Sequence, residues 1–201
     1  MRLQAVLQLE SLFVWGIHGE LLTSILASSS STPTLKSLML GSIELISLSC
    51  RNLQLRNISD GMKCLSALET LIIRNCEDLD AWDISVWEGL KSLQMLKIAD
   101  MPNLQVLPQG ITCLTTLQSL SIFNLINLTA LPESISGLSQ LCSLSIMDCP
   151  KLTAVPHSLR GLTSLQTLWI HRCLDLKKRC QQPDGPDWPL IRHIPTLKLT
   201  N

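Results

Sequence analysis

Four histidines, His18, His157, His171 and His193, are the side chains of this sequence that could move a proton near neutral pH. They stand in different local contexts, and none has the motif partner that acid–base or nucleophilic catalysis requires. Cys173 and Cys180 are seven residues apart. With no C-x-x-C pair and no H-E-x-x-H, the spacing does not build a zinc centre. Glu77, Asp78, Asp80 and Asp83 form an acidic cluster that could hold calcium or serve catalysis, but a solvated convex edge is the simpler reading. Lys177-Lys178-Arg179 could touch phosphate, though so short a run reads as a solvated turn. None of the nine glycines precedes a lysine, so there is no G-x-x-x-x-G-K-[ST] phosphate loop. The expectation is a non-enzyme with no catalytic residue, metal, cofactor or small-molecule ligand.

The chain that must position these side chains is periodic. Segments beginning at Leu68, Leu93, Leu117, Leu141 and Leu165 align under one another, with steps of 25, 24, 24 and 24 residues. Apolar residues fall at positions 1, 4, 6, 9, 12, 15, 19 and 22, and all 24 such slots between Leu93 and Ser164 are apolar. For a chain that is 46% hydrophobic, chance gives roughly one in 10⁸ for that match. Positions 4 and 6 are two apart, so on a strand both point inward, while positions 3, 5 and 7 point outward. Leu9, Leu12 and Val14, then Leu35, Leu38 and Leu40, then Ile194, Leu197 and Leu199 extend the pattern to eight candidate strands. The step from Leu35 to Leu68 is 33 residues, which places an irregular insertion near 42–62; a further strand around Leu45 to Ser49 is left open. Position 9 carries Cys76, Met101, Leu125, Cys149 and Cys173, where a buried thiol serves as a small hydrophobe. Pro108, Pro132 and Pro156 at position 16 are read as ending the strand and opening a short helix or turn on the other face. The predicted fold is an α/β solenoid, with a parallel concave β-sheet and short helical or irregular convex segments.

Function in such a stack belongs to the outward columns. Position 3 is nearly all hydroxyl, a solvated ladder. Position 5 reads Phe13, Met39, Ile72, Lys97, Ser121, Ser145, Trp169 and Lys198, and position 7 reads Trp15, Gly41, Arg74, Ala99, Phe123, Met147, His171 and Thr200. Phe123, Met147, Trp169, His171 and Arg172 fall on adjacent repeats and make the candidate protein-binding site. Aromatics, methionine and arginine are the residues that interface centres favour. Burial of the same patch by the tail or by missing neighbouring sequence is the alternative.

Composition narrows the partner. Sixteen basic and sixteen acidic residues cancel, and no overall basic excess marks a nucleic-acid binder. From Arg172 to Lys198 six basic residues face three acids, a local +3. No apolar run approaches membrane-spanning length, and the opening MRLQAVLQLESLFVW is interrupted by Gln4, Gln8 and Glu10, unlike a signal peptide. Eight cysteines without a signal suggest a reducing compartment. The sequons at Asn57 and Asn127 are read as chance occurrences.

The pattern LxxLxIxxCPxLxxLPxxIxxLxx resembles plant leucine-rich repeats. The closing stretch CLDLKKRCQQPDGPDWPLIRHIPTLKL is more specific. Its Arg179-Cys180, Asp184-Gly185, Asp187-Trp188-Pro189 and His193-Ile194-Pro195 look like the last repeat and tail of plant nucleotide-binding leucine-rich-repeat disease resistance proteins. That resemblance implies a leucine-rich-repeat horseshoe, with about seven repeats over 1–180 and a capping segment with an edge strand over 181–201. It implies an intracellular recognition module, cytoplasmic or nuclear, whose protein partner is a pathogen effector or the receptor's own nucleotide-binding module. Nucleotide hydrolysis does not carry over, because the phosphate loop is missing; a fragment or truncated gene product is expected. The alternatives are a stand-alone scaffold docking a signalling enzyme or ubiquitin ligase and, more weakly, an extracellular receptor fragment.

Overall fold

A computed structural model describes residues 11–15, 37–41, 65–75 and 84–201. His18, Asn57, Cys76, the acids Glu77 to Asp83 and the 42–62 insertion lie outside the described residues.

Eight strands form one wholly parallel sheet in sequence order: β1 Ser11–Trp15, β2 Ser37–Gly41, β3 Thr70–Arg74, β4 Met95–Ala99, β5 Ser119–Phe123, β6 Ser143–Met147, β7 Thr167–His171 and β8 Thr196–Thr200. All eight fall on positions 3 to 7 of the repeat. β2 pairs directly with β3, Ser37 opposite Thr70, so the long step interposes no strand between them in the sheet. Register is the same throughout: Leu96, Leu120, Leu144, Leu168 and Leu197 lie side by side, as do Ile98, Ile122, Ile146, Ile170 and Leu199. A repeat of constant length stacks like on like, and each apolar slot becomes a continuous row.

Those rows are the core. Every one of the 24 apolar slots from Leu93 to Leu162 is buried, Cys149 among them. The return path on the opposite side includes a short helix α1 (Ile84–Gly89) in the repeat from Leu68 and 3-10 turns in the next three: η1 Gln109–Cys113, η2 Glu133–Gly137 and η3 His157–Gly161. Pro108, Pro132 and Pro156 each stand just before a 3-10 turn, where their fixed φ suits the entry. Trp87 of α1 lies against Gly110, where a Cβ would overlap the indole ring.

Proline does not end the strands, contrary to the sequence expectation. β3 to β7 each end at position 7, and the next residue, Asn75, Asp100, Asn124, Asp148 or Arg172, adopts φ of 49°, 54°, 52°, 53° or 51°. This left-handed turn directs the backbone N–H of position 8 at the last carbonyl of the next strand, as from Asn124 to Met147 (2.9 Å) and from Asp148 to His171 (3.0 Å). Asn and Asp tolerate that conformation better than other non-glycine residues. Arg172 is the exception in the column.

The C-terminal segment adds two short helices and β8 to the last full repeat. Helix α2 (Leu174–Arg179) carries Lys177, Lys178 and Arg179 in its last turn, so this run is helical and not the expected turn. Its cations face the negative end of the helix dipole. Helix α3 (Trp188–Ile191) holds Pro189 in its first turn, where a missing N–H costs little. Ile191 and Ile194 are buried, and Trp188, Leu197 and Leu199 pack against the core.

Candidate protein-binding surface

The outward rows follow from register. Phe123 of β5, Met147 of β6 and His171 of β7 are direct cross-strand neighbours, followed by Thr200 of β8. One row over run Lys97, Ser121, Ser145, Trp169 and Lys198. Four of the five expected site residues, Phe123, Met147, Trp169 and His171, therefore form one contiguous patch. Trp169 is 36% exposed, and its ring centroid lies 6.1 Å from that of His171.

Thr200 was not among the expected site residues, yet it orders two of them. Its hydroxyl accepts the Trp169 indole N–H at 3.2 Å and lies 2.8 Å from His171 Nδ1. A hydroxyl both donates and accepts, so this one group partners both rings. The signal in the sequence was its place in the position-7 column beside His171. Lys198 stands over the Trp169 ring at 5.9 Å, and Lys97 over the Phe123 ring at 5.7 Å, both within reach of a cation–π contact.

Arg172 belongs to a different row. It follows the strand at position 8, its side chain is well exposed, and Nη1 lies 3.6 Å from Asp148 Oδ1. Its charge is thus shared with a carboxylate at the rim. The same rim holds Arg74, which donates from Nε and Nη2 to Asp100 Oδ2 at 3.0 and 2.7 Å, while Asn124 donates to Asp100 Oδ1 at 2.9 Å. Partial burial pushes the Asp100 carboxyl up, but the hydrogen bonds from Asn124 and Arg74 hold it below its ordinary value. The Asn and Asp run at position 8 was visible in the sequence as a column, although its conformation was not.

The remaining candidates are dispersed. His157 is at the start of η3, beside Glu133 of η2, and His193 lies 3.3 Å from the Leu162 carbonyl. Cys173 and Cys180 are buried, and burial pushes the Cys180 thiol up to about 12. Among the described residues no group of three or more His, Cys, Asp or Glu is placed to hold a metal. The Asn127 amide donates to the Pro102 carbonyl at 2.6 Å, and its oxygen accepts from Lys151, so the second sequon's nitrogen is engaged within the fold.

Comparison with known proteins matches the family model described as a leucine-rich repeat region to residues 42–182. The chain belongs to the leucine-rich repeat family. No curated protein matches it significantly in sequence. Solved leucine-rich repeat structures share the fold. A leucine-rich repeat protein of Leptospira interrogans is 23% identical with a TM-score of 0.52, over 80% of this chain and 36% of that one. Toll, in the Drosophila Toll–Spätzle complex, is 19% identical with a TM-score of 0.51, over 83% of this chain and 23% of that one. The leucine-rich repeat domain of the type III effector XopL is 18% identical with a TM-score of 0.51, over 95% of this chain and 76% of that one. The chain thus spans well under half of the first two. At these identities the likeness is one of fold. No helix among the described residues is long and apolar enough to cross a membrane.

Proposed function

We propose that this leucine-rich repeat chain is the recognition region of an intracellular plant immune receptor of the nucleotide-binding leucine-rich-repeat class. Its concave face binds protein: a pathogen effector or the receptor's own nucleotide-binding module, in the cytoplasm or nucleus. The observation that carries the binding role is the joined patch of Phe123, Met147, Trp169 and His171 on three adjacent strands, with Arg172 at its rim. A large ring held at two points keeps its contact area without losing much rotamer freedom on binding, which is how aromatic anchors concentrate affinity.

The plant assignment rests on the tail. Its quoted residues act together: Arg179 donates from Nε and Nη2 to Asp187 at 3.0 and 2.6 Å, and Asp187 also accepts the Val155 N–H at 3.1 Å. What supports the resemblance is that two of its residues, Arg179 and Asp187, hold one another and so form one structural unit.

The test is a binding assay with a cognate effector or a co-expressed nucleotide-binding module. Trp169→Ala should cost at least about 2 kcal/mol of affinity, roughly thirtyfold, while the convex change Gln109→Ala should be silent. Loss from Gln109→Ala with Trp169→Ala silent would move the site off the concave face.

A further inference from the structure

The outward residues of β3 to β8 include Arg74, Lys97 and Lys198 and not one carboxylate. At the rim Asp100 is held by Arg74 and lies in the field of Lys97, and Asp148 faces Arg172. Arg74 is thereby neutralised, whereas Lys97 and Lys198 stand over aromatic faces. Between these two lysine–ring pairs the same row dips to Ser121 and Ser145, with Ser119 and Ser143 beside them. The surface is a hydroxyl-lined trough on β5 and β6, with a cation on a ring at either end.

On the reading that this face binds protein, we propose that its ligand is an extended acidic segment laid across the strands, with two carboxylates meeting Lys97 and Lys198. The lysines stand four strands apart, and both ammonium groups lean toward rings on β5 and β7. Their separation is thus two to four strand spacings, roughly 10–19 Å. An extended chain covers that distance in about three to six residues. The serines between them admit backbone close to the sheet and offer it hydroxyl partners, and Trp169 and Phe123 wall the trough with apolar area. A carboxylate that meets an ammonium already resting on a ring joins a three-part contact, and the absence of outward acids leaves nothing on these strands to repel it. Single-stranded nucleic acid fits less well. A phosphate backbone asks for a continuous basic track, and Lys97, which also feels Asp100, is separated from Lys198 by uncharged strands.

The experiment is selection of displayed random twelve-residue peptides on the 201-residue chain, in parallel with the double variant Lys97→Glu, Lys198→Glu and with Trp169→Ala. Thermal melts check that each variant is folded. Peptides enriched by the unmodified chain should carry two Asp or Glu three to six residues apart. Their affinity should fall about tenfold or more in the double variant, and also on raising salt from 0.1 to 0.5 M. Selection of the same peptides by the double variant, with Trp169→Ala inactive, would leave the concave site standing and overturn its acidic preference. Equal enrichment by Trp169→Ala would remove the site itself, and the proposal with it. Enrichment without an acidic excess, or no enrichment, counts against it, as does a labelled single-stranded oligonucleotide that binds as tightly as the best peptide.

Discussion

Leu120 and Ser121 are chain neighbours with opposite surroundings. Leu120 is fully buried between Leu96 and Leu144, while Ser121 lies in the outward row between Lys97 and Ser145. Leu120→Asp should lose at least about 3 kcal/mol in a denaturant melt, because an unpaired charge enters a dry row. Ser121→Asp should stay within about 0.5 kcal/mol. Equal losses would show the in/out register to be wrong. Arg172 permits a second test at this scale. It holds a positive φ at a position filled elsewhere by Asn or Asp, and its ion pair with Asp148 is exposed. Such a pair contributes little, and Asn occupies the left-handed region more readily. Arg172→Asn should therefore keep stability or raise it by up to about 1 kcal/mol. A clear loss on melting would mean that the rim pair matters more than the turn.

Among the elements, the tail shows how a short motif turns the chain back on itself. Asp187 is 3% exposed and reaches both Arg179 on α2 and the Val155 N–H in the neighbouring repeat. Gly185 makes room for it: a Cβ there would run into the carbonyl oxygens of Arg179 and Gln181. With the chain turned back at that point, α3 brings Ile191 into the core and β8 pairs along the whole of β7. Asp187→Ala would strand a buried N–H and a guanidinium together. It should cost at least about 2 kcal/mol in chemical denaturation, and the last repeats should become sensitive to protease. A variant as stable and protease-resistant as the parent would show that the tail is held by apolar packing alone.

For the molecule as a whole, repeats are tied to one another by polar links as well as by apolar rows. Glu133 of η2 accepts the backbone N–H groups of Ser158 (2.8 Å) and His157 (3.0 Å) at the start of η3. Those two bonds, Ser158 first, hold its carboxyl below the ordinary value. A depressed carboxyl contributes stability above its unfolded-state pKa and loses that contribution as pH falls through the folded-state value. Asp100 at the rim shifts in the same direction. Thermal melts should thus be flat near neutrality and fall below about pH 4.5, and Glu133→Gln should reduce the slope of that acid limb. An unchanged limb in Glu133→Gln would place the acid sensitivity at other carboxylates. Glu133 is largely exposed and Asp100 half-buried, so the effect is modest and is screened by salt.

Period and polarity in the sequence determined the sheet. A 24-residue step with apolar residues at fixed slots leaves one way to bury them all, which is to stack like positions in parallel; strands, register, core and outward columns follow from that. Adjacency across repeats follows as well, so Phe123, Met147, Trp169 and His171 could be grouped before any coordinates. Backbone conformation and pairing between distant side chains were left to the tertiary structure. The apolar pattern carries no information on φ, so the left-handed turn at position 8 went unread, and Arg172 was grouped with a patch whose rim it occupies. Hydroxyls, charges and short helices have many local alternatives, which only contacts from the next repeat resolve. Thr200 reaches Trp169 and His171 across a strand pair, and Arg179 meets Asp187 because Gly185 lets the chain turn back between them.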